Sequence, residues 1–254
     1  MNIDIKNRVV WITGTSRGIG FELAQLFAQR GAVVVATLRT WNEKSRTLPA
    51  LLQAHSPESV VLKQDVSIPE DAERVAAEIK KRYGRLHVLV NNAGFDPRQP
   101  ADTISNSDWR TVLGSNLDGA WFSARAAIPI MKEARYGKIL QVGSITTFSG
   151  LPHLSHYIAS KAGLVGLTRG LARDLGPYGI RVNCIVLGAV QVEKETRIGI
   201  GTSEEILAMV NSRQCLPGRI LPKDVEPTFA FFASAASDAI TGQSLIVDQG
   251  WCFQ

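Results

Sequence analysis

A tyrosine and a lysine stand four residues apart in the stretch "SHYIASKAG" (155–163), as Tyr157 and Lys161. On a helix, two side chains at this spacing lie on the same face, one turn from each other. A phenol with a pKa near ~10 in solution can exchange a proton at neutral pH only if a neighbouring positive charge stabilises the phenolate. The same spacing is also common on solvated helix faces, so the pair alone does not decide between the two interpretations.

A glycine-rich turn, "TGTSRGIG" (13–20), lies between an apolar β-type run and an amphipathic stretch. Its glycines are spaced Gly-x-x-x-Gly-x-Gly, which differs from the general dinucleotide pattern Gly-x-Gly-x-x-Gly. We predict that Gly14 permits a tight turn with close backbone approach, and that Gly20 lets the helix pack on the sheet. The free N–H groups of the helix N-terminus could then bind a pyrophosphate. The alternative is a structural turn without a ligand.

The elements that must position these groups alternate along the chain. Seven short apolar runs read as strands: 8–14, 32–38, 59–65, 86–92, 137–144, 180–188 and 244–250. Amphipathic stretches such as 21–31 and 68–84 read as helices between them. This alternation of strands and helices predicts an α/β, doubly wound Rossmann-like fold with a seven-stranded, mainly parallel sheet and helices on both faces. We expect one domain over 1–254, with a candidate substrate lid at 189–217, where the periodicity is weakest.

Composition excludes several classes of protein. Of the 254 residues, 45% are hydrophobic and 20% are charged, which is ordinary for a soluble globular protein. The net charge is +5 without a run of five basic residues, so we expect no nucleic-acid partner. No apolar run approaches the ~18–20 residues of a transmembrane helix, so we expect no membrane partner. The three cysteines are odd in number and widely spaced, which argues against disulfides and a metal site. The first residues lack the apolar core of a signal peptide, so we expect a cytoplasmic protein.

Five motifs occur together in one order: "TGTSRGIG", "NNAG" (91–94), "SNLDGAWF" with Asn116, "VGSITT" with Ser144, and "YIASK" (157–161). In order and interval they resemble the short-chain dehydrogenase/reductase family, in its single-domain type of about 250 residues. The resemblance covers essentially the whole chain. Each motif is weak or moderately specific alone, but their combination is strong.

The resemblance implies hydride transfer between a nicotinamide cofactor and a small-molecule carbonyl or alcohol. It implies that Tyr157 is the general acid/base and that Lys161 lowers the phenol pKa and holds the nicotinamide ribose. Ser144 would hydrogen-bond the substrate oxygen. Asn116, expected in the middle of a long helix, would hold a water that links Lys161 to solvent.

The resemblance also implies a set of cofactor-binding positions beside Tyr157 and Lys161. Asp65 would contact the adenine ring with Val66 beside it, and the turn after the fourth strand would face the adenine ribose. The full set adds Gly14, Ser16, Arg17, Gly18, Ile19, Gly20, Arg39, Asn92, Ala93, Gly94, Gly188 and Val190.

The end of the second strand bears on the choice of cofactor. An NAD-selective site usually carries an acid there, whereas this chain has Leu38 followed by Arg39. Arg39 and Arg17 would offer guanidinium donors to a 2′-phosphate. We therefore expect NADP(H) in preference to NAD(H). The alternative is that both arginines are solvated surface residues.

Two positions depart from the family pattern. Leu187 stands where the family often has proline, and Val192 stands where a hydroxyl commonly meets the nicotinamide carboxamide. That carboxamide contact is therefore in doubt.

The residues expected around the substrate are mostly apolar or aromatic, which favours a largely hydrophobic substrate portion. They are Phe95, Phe148, Leu151, His153, His156 and the lid. We expect the two histidines to be capping or surface residues. Trp251 and Phe253, near the carboxyl end, indicate either an interface or a pocket wall. We favour an interface of a homo-oligomer, because the family is commonly tetrameric.

Two other functions stay open at this point. A dinucleotide-binding regulator without turnover could use the same fold, although it would not need the acid. A related non-redox lyase uses serine and tyrosine with arginine at the lysine position, and Lys161 argues against it.

Overall fold

Seven parallel strands form one sheet in the order β3-β2-β1-β4-β5-β6-β7 in a computed structural model that describes residues 3–192 and 203–253. Every strand pairing is parallel. The predicted doubly wound fold is confirmed, and the sheet is wholly rather than mainly parallel. The strands are β1 (Val9–Thr13), β2 (Val33–Leu38), β3 (Val60–Lys63), β4 (Val88–Asn91), β5 (Gly137–Ser144), β6 (Ile180–Leu187) and β7 (Ser244–Val247).

Helices cover both faces of the sheet. They are α1 (Gly18–Gln29), α2 (Leu48–Gln53), α3 (Pro69–Tyr83), α4 (Asn106–Leu113), α5 (Gly119–Glu133), α6 (Thr146–Ser149), α7 (Ser155–Leu175), α8 (Ser203–Asn211) and α9 (Pro222–Ala233). One apolar cluster joins Phe27 of α1 and Phe229 of α9 to the sheet, and a second joins Ile79 of α3 and Met131 of α5 to the opposite face. Burial of each such side chain contributes about 1.5–3 kcal/mol.

Local sequence explains where the helices begin and end. Helix α3 starts at Pro69, carries acids in its first turn and basic residues in its last turn, and stops at Gly84, whose φ is +69°. This charge order complements the helix dipole, and a left-handed glycine is a frequent helix stop. Helix α1 begins at Gly18, three residues earlier than the expected stretch 21–31, because the glycine turn itself enters the helix.

The segment after β6 contains α8, whose Ile206 and Val210 are buried. Val190, just past β6, forms an isolated parallel bridge with Ile220. Residues 193–202 of the predicted lid lie outside the described residues. Within the described ranges, no helix is long and apolar enough to cross a membrane, and no group of three or more His, Cys, Asp or Glu residues could hold a metal ion.

Candidate active site

The carboxyl ends of the strands open into one cavity of about 460 Å³. In parallel sheets this edge is where ligands bind. Of the predicted catalytic and cofactor-binding residues, the structure brings every one except Asn116 to the wall of this cavity, including Ser144, Tyr157, Lys161 and all of the predicted cofactor positions. The roles of these residues stay predictions, but their convergence is a property of the fold.

Ser144 and Tyr157 meet at the junction of β5 and α7. Ser144 is the last residue of β5, and its Oγ accepts hydrogen bonds from the Thr146 amide (3.3 Å) and the Thr146 hydroxyl (3.0 Å). Tyr157 lies in the first turn of α7, where burial raises the pKa of its phenol to about 12. A hydrogen bond with Ser144 lowers that pKa in part, whereas the Asp96 carboxylate raises it further. The phenol therefore keeps its proton at neutral pH.

Lys161 lies one turn beyond Tyr157 on α7 and is buried, with 4% of its surface exposed. Its Nζ donates to the Val142 carbonyl at 2.7 Å and lies 5.7 Å from the centroid of the Tyr157 ring. Burial lowers the pKa of Lys161 to about 8, although Cys184 and Asp96 act in the opposite direction. The Tyr157 pKa is raised overall, because desolvation of the phenol outweighs the other contributions. The expected lowering of the phenol pKa by Lys161 stays a prediction.

The secondary structure around Asn116 and the contacts of its side chain both differ from the prediction. It lies in a π-helical segment, Gly114–Asp118, between α4 and α5, and not within a regular long helix. Its Oδ1 accepts from the Phe95 amide at 3.0 Å, and its Nδ2 donates to the Phe95 carbonyl and to Ser160 Oγ, each at 3.0 Å. Single π-helical turns are frequent at functional sites. The side chain thus positions the segment after β4, and its predicted role in a proton relay stays a proposal.

The glycine-rich turn depends on close approach between chain segments. Gly14 has a φ of +72°, and a Cβ there would lie 2.6 Å from the Cα of Ala93. The Asn92 side chain donates to the carbonyls of Thr13 (2.9 Å) and Gly14 (3.1 Å). A Cβ on Gly20 would collide with this Asn92 side chain and with the Gly14 carbonyl. Gly20 therefore allows the first turn of α1 to lie close to the segments that follow β1 and β4.

The amino end of α1 fits a phosphate group. No side chain caps this end, and its first turn contains no acidic residue. Its free N–H groups therefore remain for a ligand. Arg17 and Arg39 are both exposed at the rim of the same cavity, and Leu38 is buried at the end of β2. These residues supply donors and positive potential to an anion and place no carboxylate at the strand end.

The substrate side of the cavity is more polar than expected. Phe95 and Leu151 line it as predicted, together with Leu154, Ile206 and Met209, but Asp96, Arg98 and Arg219 line it too. Sequence reasoning missed these charged residues. The signal for Asp96 and Arg98 was their position directly after "NNAG", where a segment that leaves a strand end must cross the site.

Three predicted pocket residues lie elsewhere. Phe148 is exposed, and neither it nor His153 lines the cavity. His156 is fully buried outside the cavity, with its Nδ1 accepting from the Tyr157 amide at 3.0 Å, so it is not a surface residue. Trp251 lines the cavity, as the pocket-wall alternative predicts, and the Arg213 guanidinium lies 5.5 Å from the centre of its ring.

Comparison with known proteins decides the family. A family model described as "Enoyl-(Acyl carrier protein) reductase" matches residues 14–252. The chain belongs to the short-chain dehydrogenase/reductase family. D-xylose 1-dehydrogenase of Caulobacter vibrioides is 38% identical over 248 residues, covering 97% of this chain and 96% of the relative. A provisionally named galactose dehydrogenase of Rhizobium meliloti is 34% identical over the same length and coverage.

A solved structure agrees with these relatives. It is a provisionally named NAD(P)-dependent gluconate 5-dehydrogenase from Beutenbergia cavernae, with NADP bound at low occupancy. It is 32% identical, covers 98% of both chains and superposes with a TM-score of 0.89. The protein is therefore an NAD(P)-dependent oxidoreductase of this short-chain family.

Proposed function

We propose that this short-chain dehydrogenase/reductase transfers a hydride between NADP(H) and a carbonyl or alcohol substrate, with Tyr157 as general acid/base. The observation that carries the proposal is the convergence of Ser144, Tyr157 and Lys161 in the same cavity as the glycine-rich turn. A regulator without turnover would need the turn but not this set of proton donors.

The residues that would hold the cofactor follow from the cavity wall. The α1 N-terminus and the turn at 14–20 suit the pyrophosphate, and Arg17 and Arg39 suit a 2′-phosphate. Lys161 uses one of its three N–H donors on Val142, which leaves two for a ribose. When bound, a nicotinamide cofactor supplies the hydride to a carbonyl carbon or accepts it from an alcohol carbon.

The proton is handled by the chain's own groups. In reduction, Ser144 donates a hydrogen bond to the substrate oxygen, and the Tyr157 phenol transfers its proton to that oxygen as negative charge develops. Burial raises the pKa of this phenol, so it holds the proton at neutral pH and can supply it during reduction. In oxidation, the same phenol must first lose its proton, which requires additional positive charge nearby.

The substrate class is proposed from both the relatives and the cavity. Three relatives bear names for reactions of galactose, xylose or gluconate. The cavity combines apolar walls with the partly buried Asp96 and the exposed Arg98, whose charged side chains can hydrogen-bond substrate hydroxyls. We propose a polyhydroxylated substrate of the sugar type, held in one domain over 1–254, with α8 as part of a lid over 189–217.

We also propose self-association, with the tetramer favoured. Trp121 on α5 and Leu245 on β7 are 38% and 42% exposed, and Phe253 is 83% exposed. Large apolar side chains on a surface are frequent at interfaces. Light scattering on a size-exclusion column tests this proposal, and a single monomer mass at micromolar concentration would contradict it.

The function is tested with a panel of aldoses, sugar acids and simple ketones, each assayed by NADPH absorbance with NADH alongside. We expect turnover on at least one substrate, and we expect Tyr157→Phe to lower kcat by about 10²–10⁴-fold while NADPH still binds. Tyr178→Phe, which changes an exposed tyrosine, is the matched control. Wild-type turnover in Tyr157→Phe would refute the role of the phenol, and NADPH binding without turnover on the whole panel would favour a regulator.

A further inference from the structure

A second cavity, of about 410 Å³, lies at the opposite edge of the sheet from the candidate active site. It forms where three neighbouring strands, β4, β1 and β5, begin. It shares no lining residue with the cavity at the carboxyl edge. We call it the amino-edge cavity, and it is lined by Lys6, Asn7, Arg8, Arg85, Leu86, His87, Ala134 and Tyr136.

The charged side chains of this cavity are all cations. Lys6, Arg8 and Arg85 line it, and no carboxylate does. His87 adds a neutral donor, because burial together with the charges of Arg85 and Arg8 lowers its pKa to about 4. The Nδ1 of His87 accepts from the Val9 amide at 2.9 Å, so the proton of the neutral ring is on Nε2.

The acidic and hydroxyl groups nearest these donors already have partners. The Tyr136 hydroxyl accepts from Arg8 at 2.6 Å and lies 3.3 Å from Asp238 Oδ1, to which it can donate. Asp238 is in turn bound by Lys138 at 2.8 Å. Within residues 3–192 and 203–253, no ion pair involves the side chain of a cation that lines the cavity. The nearby Asp4 carboxylate accepts from the Lys6 backbone amide at 2.8 Å and is not among the residues that line the cavity.

The walls of the cavity are held in place before any ligand arrives. The Arg8 guanidinium lies 5.3 Å from the centre of the Tyr136 ring, in addition to its hydrogen bond with the hydroxyl. Backbone hydrogen bonds tie Asn7 to Gly31 at 2.8 Å and His87 to Val9 at 3.0 Å. A site that is ordered in advance loses less entropy when a ligand binds.

We propose that the amino-edge cavity binds a small multivalent oxyanion, in the form of a phosphate group. A planar guanidinium matches the geometry of phosphate oxygens, and Lys6, Arg85 and His87 add further donors in a lining that contains no carboxylate. The phosphate could belong to free inorganic phosphate or to a phosphomonoester. This proposal stands independently of the proposed reaction, since the cavity lies across the sheet from the site of that reaction.

Calorimetric titration of inorganic phosphate at constant ionic strength tests the proposal. The test variant is Lys6→Gln/Arg85→Gln, which removes two exposed cations and spares Arg8, whose contact with Tyr136 is structural. The control is Arg110→Gln/Lys223→Gln, which removes the same charge at exposed positions on α4 and α9. We expect the dissociation constant to rise about tenfold or more in the test variant and to stay unchanged in the control. Phosphate bound at the glycine-rich turn contributes equally in all three proteins.

Phenyl phosphate in a parallel titration distinguishes the two sources. Tighter binding than that of inorganic phosphate assigns the cavity to a phosphomonoester, and weaker binding assigns it to the free ion. Equal binding of phosphate by wild type and the test variant would overturn the proposal. So would an equal loss in the control, because the effect would then come from net charge alone.

Discussion

Asn116 hydrogen-bonds both backbone groups of Phe95, accepting from its amide and donating to its carbonyl, each at 3.0 Å. The side-chain amide of Asn116 also donates to Ser160 Oγ at 3.0 Å. The Ser160 hydroxyl in turn donates to the carbonyl of Tyr157 at 2.6 Å. One buried side chain thereby joins the segment after β4 to the helix that carries the candidate acid/base. Asp96, the residue after Phe95, acts electrostatically on Tyr157.

Removal of the Asn116 side-chain amide should lower the stability of the protein. Asn116→Ala loses three hydrogen bonds and leaves the Phe95 backbone groups unpaired, so we expect a loss of about 2–4 kcal/mol in the free energy of unfolding. Urea denaturation measures it. Ser160→Ala removes only the branch toward α7 and should cost less than Asn116→Ala. Equal losses in the two variants would show that the Phe95 contacts add nothing.

Asp96 should affect the pKa values of Tyr157 and Lys161. Its carboxylate raises the pKa of both Tyr157 and Lys161, since a negative charge disfavours the phenolate and favours the ammonium. Asp96→Asn should therefore lower both pKa values and move the pH profile of kcat/KM toward lower pH. The profile is measured in both reaction directions from about pH 6 to 11.

Asp102→Asn provides the matched control for the Asp96 experiment. It removes the same charge from an exposed residue six positions further along the chain. We expect its pH profile to coincide with that of wild type. An Asp96→Asn profile that also coincides with wild type would contradict the electrostatic role of Asp96.

Arg39 should discriminate between the two nicotinamide cofactors. It is exposed at the cavity rim, directly after a strand end that carries Leu38 in place of an acid. We expect Arg39→Ala to raise the dissociation constant of NADPH by about tenfold or more and to leave that of NADH nearly unchanged, since only NADPH carries the 2′-phosphate. Fluorescence titration of both cofactors measures this. An unchanged NADPH/NADH ratio would show that Arg39 does not contact the phosphate.

The sheet was predictable because its strands are continuous apolar runs bounded by glycine and polar residues. The eight residues of β5, Gly137–Ser144, coincide with the predicted run, and Ser144 falls at its end as expected. The convergence of distant motifs also follows, because parallel strands bring their carboxyl ends to one edge.

Other features depend on neighbours that are distant in sequence. Nothing in "SNLDGAWF" indicates that Asn116 lies in a π-helical turn, since the altered helix geometry is a tertiary effect. The direction of the Tyr157 pKa depends on how completely the phenol is buried, which residue spacing does not reveal. The charged residue Asp96 was missed because an apolar pocket was inferred from aromatic neighbours in the sequence.

Gly14 offers the sharpest test of the turn. Gly14→Ala must place a Cβ 2.6 Å from the Ala93 Cα on a backbone with φ of +72°, so both strain and steric overlap oppose it. We expect a loss of more than about 2 kcal/mol in the free energy of unfolding and weaker NADPH binding. Gly166→Ala is the matched control, because a Cβ there meets nothing within 4 Å and Gly166 lies within α7. That change should be neutral or stabilising by about 0.5–1 kcal/mol. If the two variants unfold at the same urea concentration, the close approach of Gly14 to Ala93 does not limit the turn.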